Sequence, residues 1–305
     1  MILVTVVPLS KGEGTSPTEL VGRCLVNQLL KAGKKVRVLA DGRQANHWPD
    51  GVQIVKGNVA LPMESQAVFQ DIERVFLAGA SAKTINENLI LAKRAGVQRV
   101  VVLSSHGPEY EINYPPETWF WLAIEKAVEQ SGMEWTHIRP SAVMGSMLEG
   151  SYPATGSGWV KSIRQEGVVR EPYMKTGHYP FIHEEDLAGV AVAALLEDIY
   201  IGKILEAVNV PISTKERVQL ISQAIGREIL MEELTPDQAR EHWRNQGWPD
   251  DTIEVTLYAL DEYGKYPDKY FKWTVEQCPS VEQVIGRPVR TYGQWVYEHI
   301  NEFQP

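Results

Sequence analysis

Short runs dense in Val, Ile and Leu recur through the first half of the chain: Ile2 to Val7, Lys35 to Leu39, Val52 to Lys56, Arg74 to Leu77, Arg99 to Leu103 and Trp135 to Arg139. Near-continuous apolar runs of this length are what parallel strands buried on both faces require. Between them the apolar positions return at helical spacing. The segment Asn86 to Ala95 ends at Gly96, and Trp119 to Ser131 ends at Gly132, the residue that closes helices in the left-handed conformation. Strand and helix therefore alternate, and the fold class read from the pattern is α/β, a doubly wound parallel sheet of Rossmann-like type. The pattern changes after about residue 148: Gly150 to Gly158 is rich in turn formers, and Leu187, Val190, Ala191, Ala194 and Leu195 mark a helix with one apolar face. Ser213 with Glu216, and Thr235-Pro236 with Gln238, are capping signatures of two further helices. The division expected is a core over residues 1–148 and a smaller C-terminal α/β lobe over 149–305, with some of the later strands and helices returning to the core.

Composition narrows the function classes. The 305 residues are 44% hydrophobic and 23% charged, as in a globular chain, and the net charge of −9 argues against a nucleic-acid or anionic-membrane partner. The two cysteines, Cys24 and Cys278, suggest neither a disulfide framework nor a metal cluster, so no metal is expected and a reducing cytoplasm is. The apolar start, Met1 to Val7, is too short for a signal or a membrane span, and the chain is expected to be soluble and cytoplasmic.

Three stretches carry a resemblance: IEKAVEQSGMEWTHIRPSAVM at residues 124–144, FIHEEDLAGVAVAALL at 181–196 and TVEQCPSVEQVIGRPVRTYGQWVYEHINEF at 274–303. In order and spacing the chain resembles the NmrA-like group of atypical short-chain dehydrogenases/reductases over nearly its whole length. The resemblance implies a Rossmann core binding NAD(P)(H), usually NADP(H), and a substrate lobe from the C-terminal half. Its members reduce quinones, unsaturated or ether-bearing aromatics and imines, or sense redox state without turnover. It also implies that Arg139, Pro140 and Asp186 orient loops around the cleft.

The first strand-to-helix turn departs from the pattern. A dinucleotide site wants G-x-x-G-x-x-G directly after the strand, whereas this chain reads VVPLSKGEGTSPTELVG. Gly22 matches the third glycine, which permits close helix packing; Gly12 and Gly14 replace the first two only if the longer loop folds back, with Ser10 and Lys11 as phosphate contacts. Ser16-Pro17-Thr18-Glu19 reads as a capping box, so the helix is expected to start five residues before Gly22, displaced from the strand end, with Glu19 occupying amides a phosphate would use. Retained dinucleotide binding and a converted site both stay open.

At the second strand's end, Asp41 favours the ribose hydroxyls of NAD while Arg43 suits the 2′-phosphate of NADP, so the preference is unresolved, and a plain Asp-Gly turn followed by a solvated arginine is the competing reading. Asn58 stands near the adenine position and is equally a turn former. Ser104 and Ser105 follow strand five, where a hydroxyl polarises a carbonyl or simply caps the strand end. Lys126 is the lysine of the usual Tyr/Lys pair, but Leu122 and Trp121 stand where the proton donor is found. The assigned catalytic candidates are Ser105, His106 and Lys126, with Lys126 and Ser104 also on the cofactor. His106 and Tyr114 are the nearest titratable replacements for the missing donor, and His106 is alternatively a surface histidine with no role. Tyr114, Trp121, Tyr152 and Trp159 are substrate-lining candidates; packing is the competing role for the tryptophans. His178 and His183 have no metal-site company.

The function expected is an NAD(P)H-dependent reductase, an oxidoreductase acting on a hydrophobic aromatic, quinone-like or iminium-like small molecule, with a homodimer as a possible assembly. Two alternatives remain: a non-turnover NAD(P)-sensing or metabolite-binding protein, and a redox-neutral cyclase or isomerase that has lost the cofactor. Fold by itself does not choose among them.

Overall fold

The computed structural model describes residues 1–7, 15–41, 48–63, 66–148 and 156–304. Its first half runs β1 (Ile2–Thr5), α1 (Pro17–Lys31), β2 (Val36–Ala40), β3 (Gln53–Lys56), β4 (Arg74–Leu77), α2 (Ile85–Arg94), β5 (Arg99–Leu103), α3 (Trp121–Gln130), β6 (Glu134–Pro140) and β7 (Ala142–Val143). There follow α4 (Trp159–Glu166), β8 (Val168–Pro172), β9 (His178–Tyr179), β10 (Phe181–Ile182), α5 (Glu184–Leu196), β11 (Lys203–Ala207), β12 (Ile212–Ser213) and α6 (Thr214–Ile225). The chain closes with β13 (Leu230–Leu234), α7 (Pro236–Asn245), α8 (Asp250–Lys265), α9 (Pro267–Val275), α10 (Val281–Ile285), α11 (Tyr292–Glu298) and α12 (Ile300–Phe303).

Seven strands form the central sheet in the order β11-β6-β5-β4-β1-β2-β3, every neighbouring pair parallel. Alternate residues serve opposite faces, the period a pleated strand imposes. Val4, Val38, Phe76 and Val101 pack under α1 and α5, while Leu3, Leu39, Leu77 and Val102 pack under α2 and α3. Burial on both faces is the reason these strands read as unbroken apolar runs. Leaving β1, the chain goes first to β2 on one side and later to β4 on the other. In an open α/β sheet a ligand crevice lies at such a reversal, outside the carboxyl ends of the strands.

Of the later elements, α5 and β11 join the central layers, β11 beside β6 at the sheet edge. The helix α5 has more than the single apolar face expected: Leu187, Ala188, Val190, Ala191, Ala193, Ala194 and Leu195 are all buried, since α1 and α10 cover it as well as the sheet. The remaining elements pack as two smaller clusters. Trp159, Phe181, Ile221 and Trp295 centre the first, and Trp243, Ile253 and Leu260 centre the second. Both expected capping boxes form, with Ser213 and Glu216 opening α6 and Thr235 and Gln238 opening α7.

Candidate active site

The carboxyl end of β1 and the start of α1 are fastened together. Ser16 Oγ donates to the Val7 carbonyl at 2.6 Å, and the Val7 amide donates to Thr18 Oγ1 at 3.1 Å. The helix does begin at Pro17, five residues before Gly22, but the longer turn does not move it away from the strand, because its two ends are tied. Only half of the capping box forms. Ser16 Oγ accepts from the Glu19 amide at 3.1 Å, while the Glu19 carboxylate turns along the helix to Arg23. Ser16 thus takes the Glu19 amide, and its carbonyl takes the Leu20 amide. The residues Ser10, Lys11, Gly12 and Gly14 assigned to the phosphates, together with Arg43 and Tyr152, lie outside the described residues.

Two glycines shape the crevice. A Cβ on Gly22 would stand 2.6 Å from Val6 Cγ1, so the helix lies closer to the strand than any side chain allows, which is the role of the third fingerprint glycine. At the end of β4, Gly79 has φ +78°, and a Cβ there would meet Val7 Cγ2 at 2.3 Å. Asp41 is half-buried at the end of β2. Asn58 is engaged locally, its Oδ1 accepting from the Ala60 amide at 2.9 Å.

Beyond β5 the chain keeps pairing with β6: the Ser104 amide donates to the Ile138 carbonyl at 2.8 Å and the His106 amide to the Pro140 carbonyl at 3.2 Å. This carries the His106 side chain to the sheet's carboxyl edge. Arg139 of β6 and Glu206 of β11 are directly opposite in register. The Glu206 carboxylate bridges the two neighbours, its Oε2 lying 3.1 Å from His106 Nδ1 and its Oε1 accepting from Arg139 Nη1 at 3.5 Å. Arg139 is in turn held by Glu125 of α3 through a two-bond fork, Nε to Oε1 at 3.0 Å and Nη2 to Oε2 at 2.7 Å, and Glu109 also pairs with it. Burial pushes the Glu125 carboxyl up, but the Arg139 hydrogen bonds, the adjacent Ser104 hydroxyl, His137 and the Arg139 charge together hold that carboxyl below the ordinary range. Ser104 Oγ is buried beside Glu125 without a hydrogen bond of good geometry.

These groups border a pocket of about 490 Å³ lined by His106, Gly107, Glu109, Asn113, Glu206, Lys269, Tyr270 and Trp273. The volume falls within the roughly 300–1,000 Å³ of small-molecule sites. Helix α9 supplies one wall, with the Trp273 ring centroid 4.7 Å from that of His106. Of the catalytic candidates, His106 lines the pocket and Ser105 precedes it in the same loop. Lys126 does not line it: its ammonium stands on the exposed face of α3, 3.0 Å from Glu129, because the inner side of that helix is taken by Ile124, Glu125 and Val128.

The substrate candidates are also redistributed. Trp159 is 2% exposed in the cluster it shares with Phe181, Ile221 and Trp295, with Arg217 over its ring at 4.3 Å, so packing and not ligand contact is its role. Trp121 is half-buried against the α2–α3 layer, and Tyr114 is exposed, its carbonyl accepting from Trp119 Nε1. Sequence reasoning missed Glu206 and the α9 wall. A glutamate inside the apolar strand KILEA was a visible signal for the first, and the aromatic spacing Tyr270, Trp273 for the second. Among the described residues, no group of three or more His, Cys, Asp and Glu is placed to hold a metal ion, and no helix is long and apolar enough to cross a membrane.

The crevice at the sheet's reversal and the acid-and-aromatic pocket beyond β5 give the chain the layout of a nucleotide-binding α/β protein. The chain belongs to the NAD(P)H-binding family, whose model matches residues 19–198, in keeping with the NmrA-like resemblance. It is similar to the (4-alkanoyl-5-oxo-2,5-dihydrofuran-3-yl)methyl phosphate reductase of Streptomyces griseus, 29% identical over 298 residues, with 95% of this chain and 98% of the relative covered. The NAD(P)H azoreductase of Xenophilus azovorans is 27% identical over 300 residues, covering 96% and 97%. Among solved structures, the Citrobacter triphenylmethane reductase shares the fold with a TM-score of 0.74 at 17% identity, covering 98% of this chain and 99% of the other, and has also been crystallised with NADP(H).

Proposed function

We propose that this protein is an NAD(P)H-dependent reductase that binds a flat, hydrophobic, conjugated acceptor in the pocket lined by His106, Tyr270 and Trp273. The observation that carries the reading is the pocket itself, opening at the carboxyl edge of β5, β6 and β11 with an aromatic wall and a titratable side chain. The relatives named as reductases of an azo compound and of an unsaturated lactone phosphate support a conjugated acceptor. The protein's two free thiols, Cys24 and Cys278, suit a reducing compartment such as the cytoplasm.

The residues present fit a dinucleotide. Gly79 leaves bare backbone where a side chain would collide with Val7, and the buried Ser104 hydroxyl lacks a partner of good geometry at the end of β5. Asp41, Gly79 and Ser104 would hold the group along the edge of β2, β4 and β5. When bound, a reduced nicotinamide supplies a hydride. The chain's part is positioning: Trp273 and Tyr270 set the plane of the acceptor, and the α9 wall shields it from water.

The test is oxidation of NADPH and NADH followed by absorbance, with quinone, azo and unsaturated-lactone acceptors, in the wild type and Trp273→Ala. Loss of one stacking partner, worth about 0.5–1.5 kcal/mol, should raise the acceptor KM roughly 3–10-fold while leaving the dinucleotide Kd unchanged. Equal KM values in the two proteins would place the acceptor elsewhere.

A further inference from the structure

We propose that His106 and Glu206 form the proton-donating pair of this pocket, so that the site serves neutral acceptors whose hydride adducts are strong bases: azo compounds and conjugated carbonyl compounds. The inference rests on the reductase reading and names its substrate class.

Four observations converge on the pair. A carboxylate is an acceptor only, so the contact between Glu206 Oε2 and His106 Nδ1 fixes the ring proton on Nδ1 and makes Nε2 the nitrogen that exchanges a proton with a bound molecule. The carboxylate is itself oriented by Arg139, and Arg139 by the buried Glu125, the arrangement in which a catalytic base or acid is aligned by a third group. The ring is packed from the other side by Trp273, and the His106 backbone is held by its amide donating to the Pro140 carbonyl. Finally, the other titratable groups of the lining have partners: Glu109 is paired with Arg139, Lys269 with Glu262, and Tyr270 donates its hydroxyl to Glu262 at 2.9 Å. Among the described residues His106 Nε2 has none.

Hydride addition to N=N, or to the β-carbon of a conjugated carbonyl, reduces the acceptor by two electrons to a hydrazide or enolate anion while the dinucleotide is oxidised. The Nε2–H bond of the His106 imidazolium breaks as the new N–H, O–H or C–H bond of the product forms, and the neutral ring regains its proton from water at the pocket mouth. A cationic triarylmethane dye becomes neutral on taking a hydride and requires no proton. The two acceptor classes therefore separate proton donation from hydride transfer.

The experiment compares kcat for a neutral azo dye and a cationic triarylmethane dye, with NADPH, in the wild type, His106→Gln, His106→Ala and Glu206→Gln. Positioned proton transfer contributes roughly 10²–10⁴-fold, so His106→Gln should lower the azo-to-cation ratio of kcat at least about 100-fold. Added imidazole should restore part of the azo activity to His106→Ala. Glu206, a positioning residue, should show a smaller fall in the same azo-to-cation ratio when replaced by Gln. Equal losses with both dyes, or no loss with either, overturn the pair. A wild type that reduces the cationic dye but not the azo dye overturns it while sparing the reductase reading. A wild type that binds no dinucleotide and reduces neither refutes that reading, and the pair with it.

Discussion

Replacing Arg139 with Met strands a carboxylate between the sheet and α3. The Glu125 side chain is 2% exposed and that of Arg139 5%, so water has little access to either. Burial and the polar neighbours act on Glu125 in opposite directions in the native protein. Burial pushes its carboxyl up, and the Arg139 fork, with Ser104, His137 and the Arg139 charge, brings it below the ordinary value of 4.5. Without the guanidinium, burial, the largest single influence, is opposed only by Ser104 and His137. Breaking one half of a buried pair costs about 3–5 kcal/mol, which for a chain of this size lowers Tm by roughly 5–8 °C. Removing both charges, in Arg139→Met with Glu125→Met, should recover most of that loss, because an apolar pair of similar volume is often close to neutral. The pH dependence has a definite sign. In the wild type the folded pKa of Glu125 lies below the unfolded one, so the pair's contribution is complete above about pH 4.5 and fades as pH falls through the folded pKa. In Arg139→Met the shift reverses, and the folded state takes up a proton more readily than the unfolded. The gap between the two proteins should therefore be widest near pH 7 and narrow toward about pH 4.5. Urea unfolding at both pH values measures it. A gap under about 1 kcal/mol at neutral pH, or a double variant no more stable than the single one, would refute the reasoning.

Two other outcomes follow from single residues. His137 is fully buried on β6, stacked on Trp135 at 4.5 Å, and burial holds its pKa below 6.5 against the pull of Glu125 and Glu129, with Arg139 adding to the fall. Folded-state protonation is thus disfavoured, and the stability present above pH 6.5 is lost as pH drops; Tm should fall between about pH 7.5 and 5.5 more steeply than in His137→Leu, and parallel curves would disprove it. Gly79→Ala should cost about 1–3 kcal/mol and weaken NADPH binding, read by nucleotide fluorescence, since both the positive φ and the Val7 contact oppose a Cβ; unchanged binding and stability would show that the loop shifts freely.

The strands and the helices that separate them were legible because the cause is local. A run such as RVVVL at β5 is apolar throughout because both faces of its strand are covered, and the capping pairs at α6 and α7 lie three residues apart. Gly22 was legible for the same reason, as its close approach is to a strand only one turn away in sequence. His106 was visible as a titratable residue after β5, yet nothing nearby in the chain separated it from an idle surface histidine.

The start of α1 shows the limit from the other direction. Ser16 was correctly read as the cap, but whether the long turn displaced the helix depended on Val7, whose carbonyl accepts from the Ser16 hydroxyl and whose amide donates to Thr18 Oγ1. Lys126 and Trp159 kept their helices and lost their expected roles, because helical spacing says which residues share a face and not which neighbour covers it.

What the sequence determined by itself is the alternation of strand and helix, the caps and the glycine contacts, all set by steric and hydrogen-bonding preferences acting over a few residues. What only the tertiary structure decided is the site. Glu206 stands 100 positions from His106 and 67 from Arg139, and they meet because β11 returns to the sheet edge beside β6 in a register that places Glu206 opposite Arg139. Trp273 reaches them from α9, a helix outside the central sheet. Such contacts depend on which strands become neighbours and which helix covers the edge, and those outcomes follow from burying the apolar surface of the whole chain at once, so no local pattern records them.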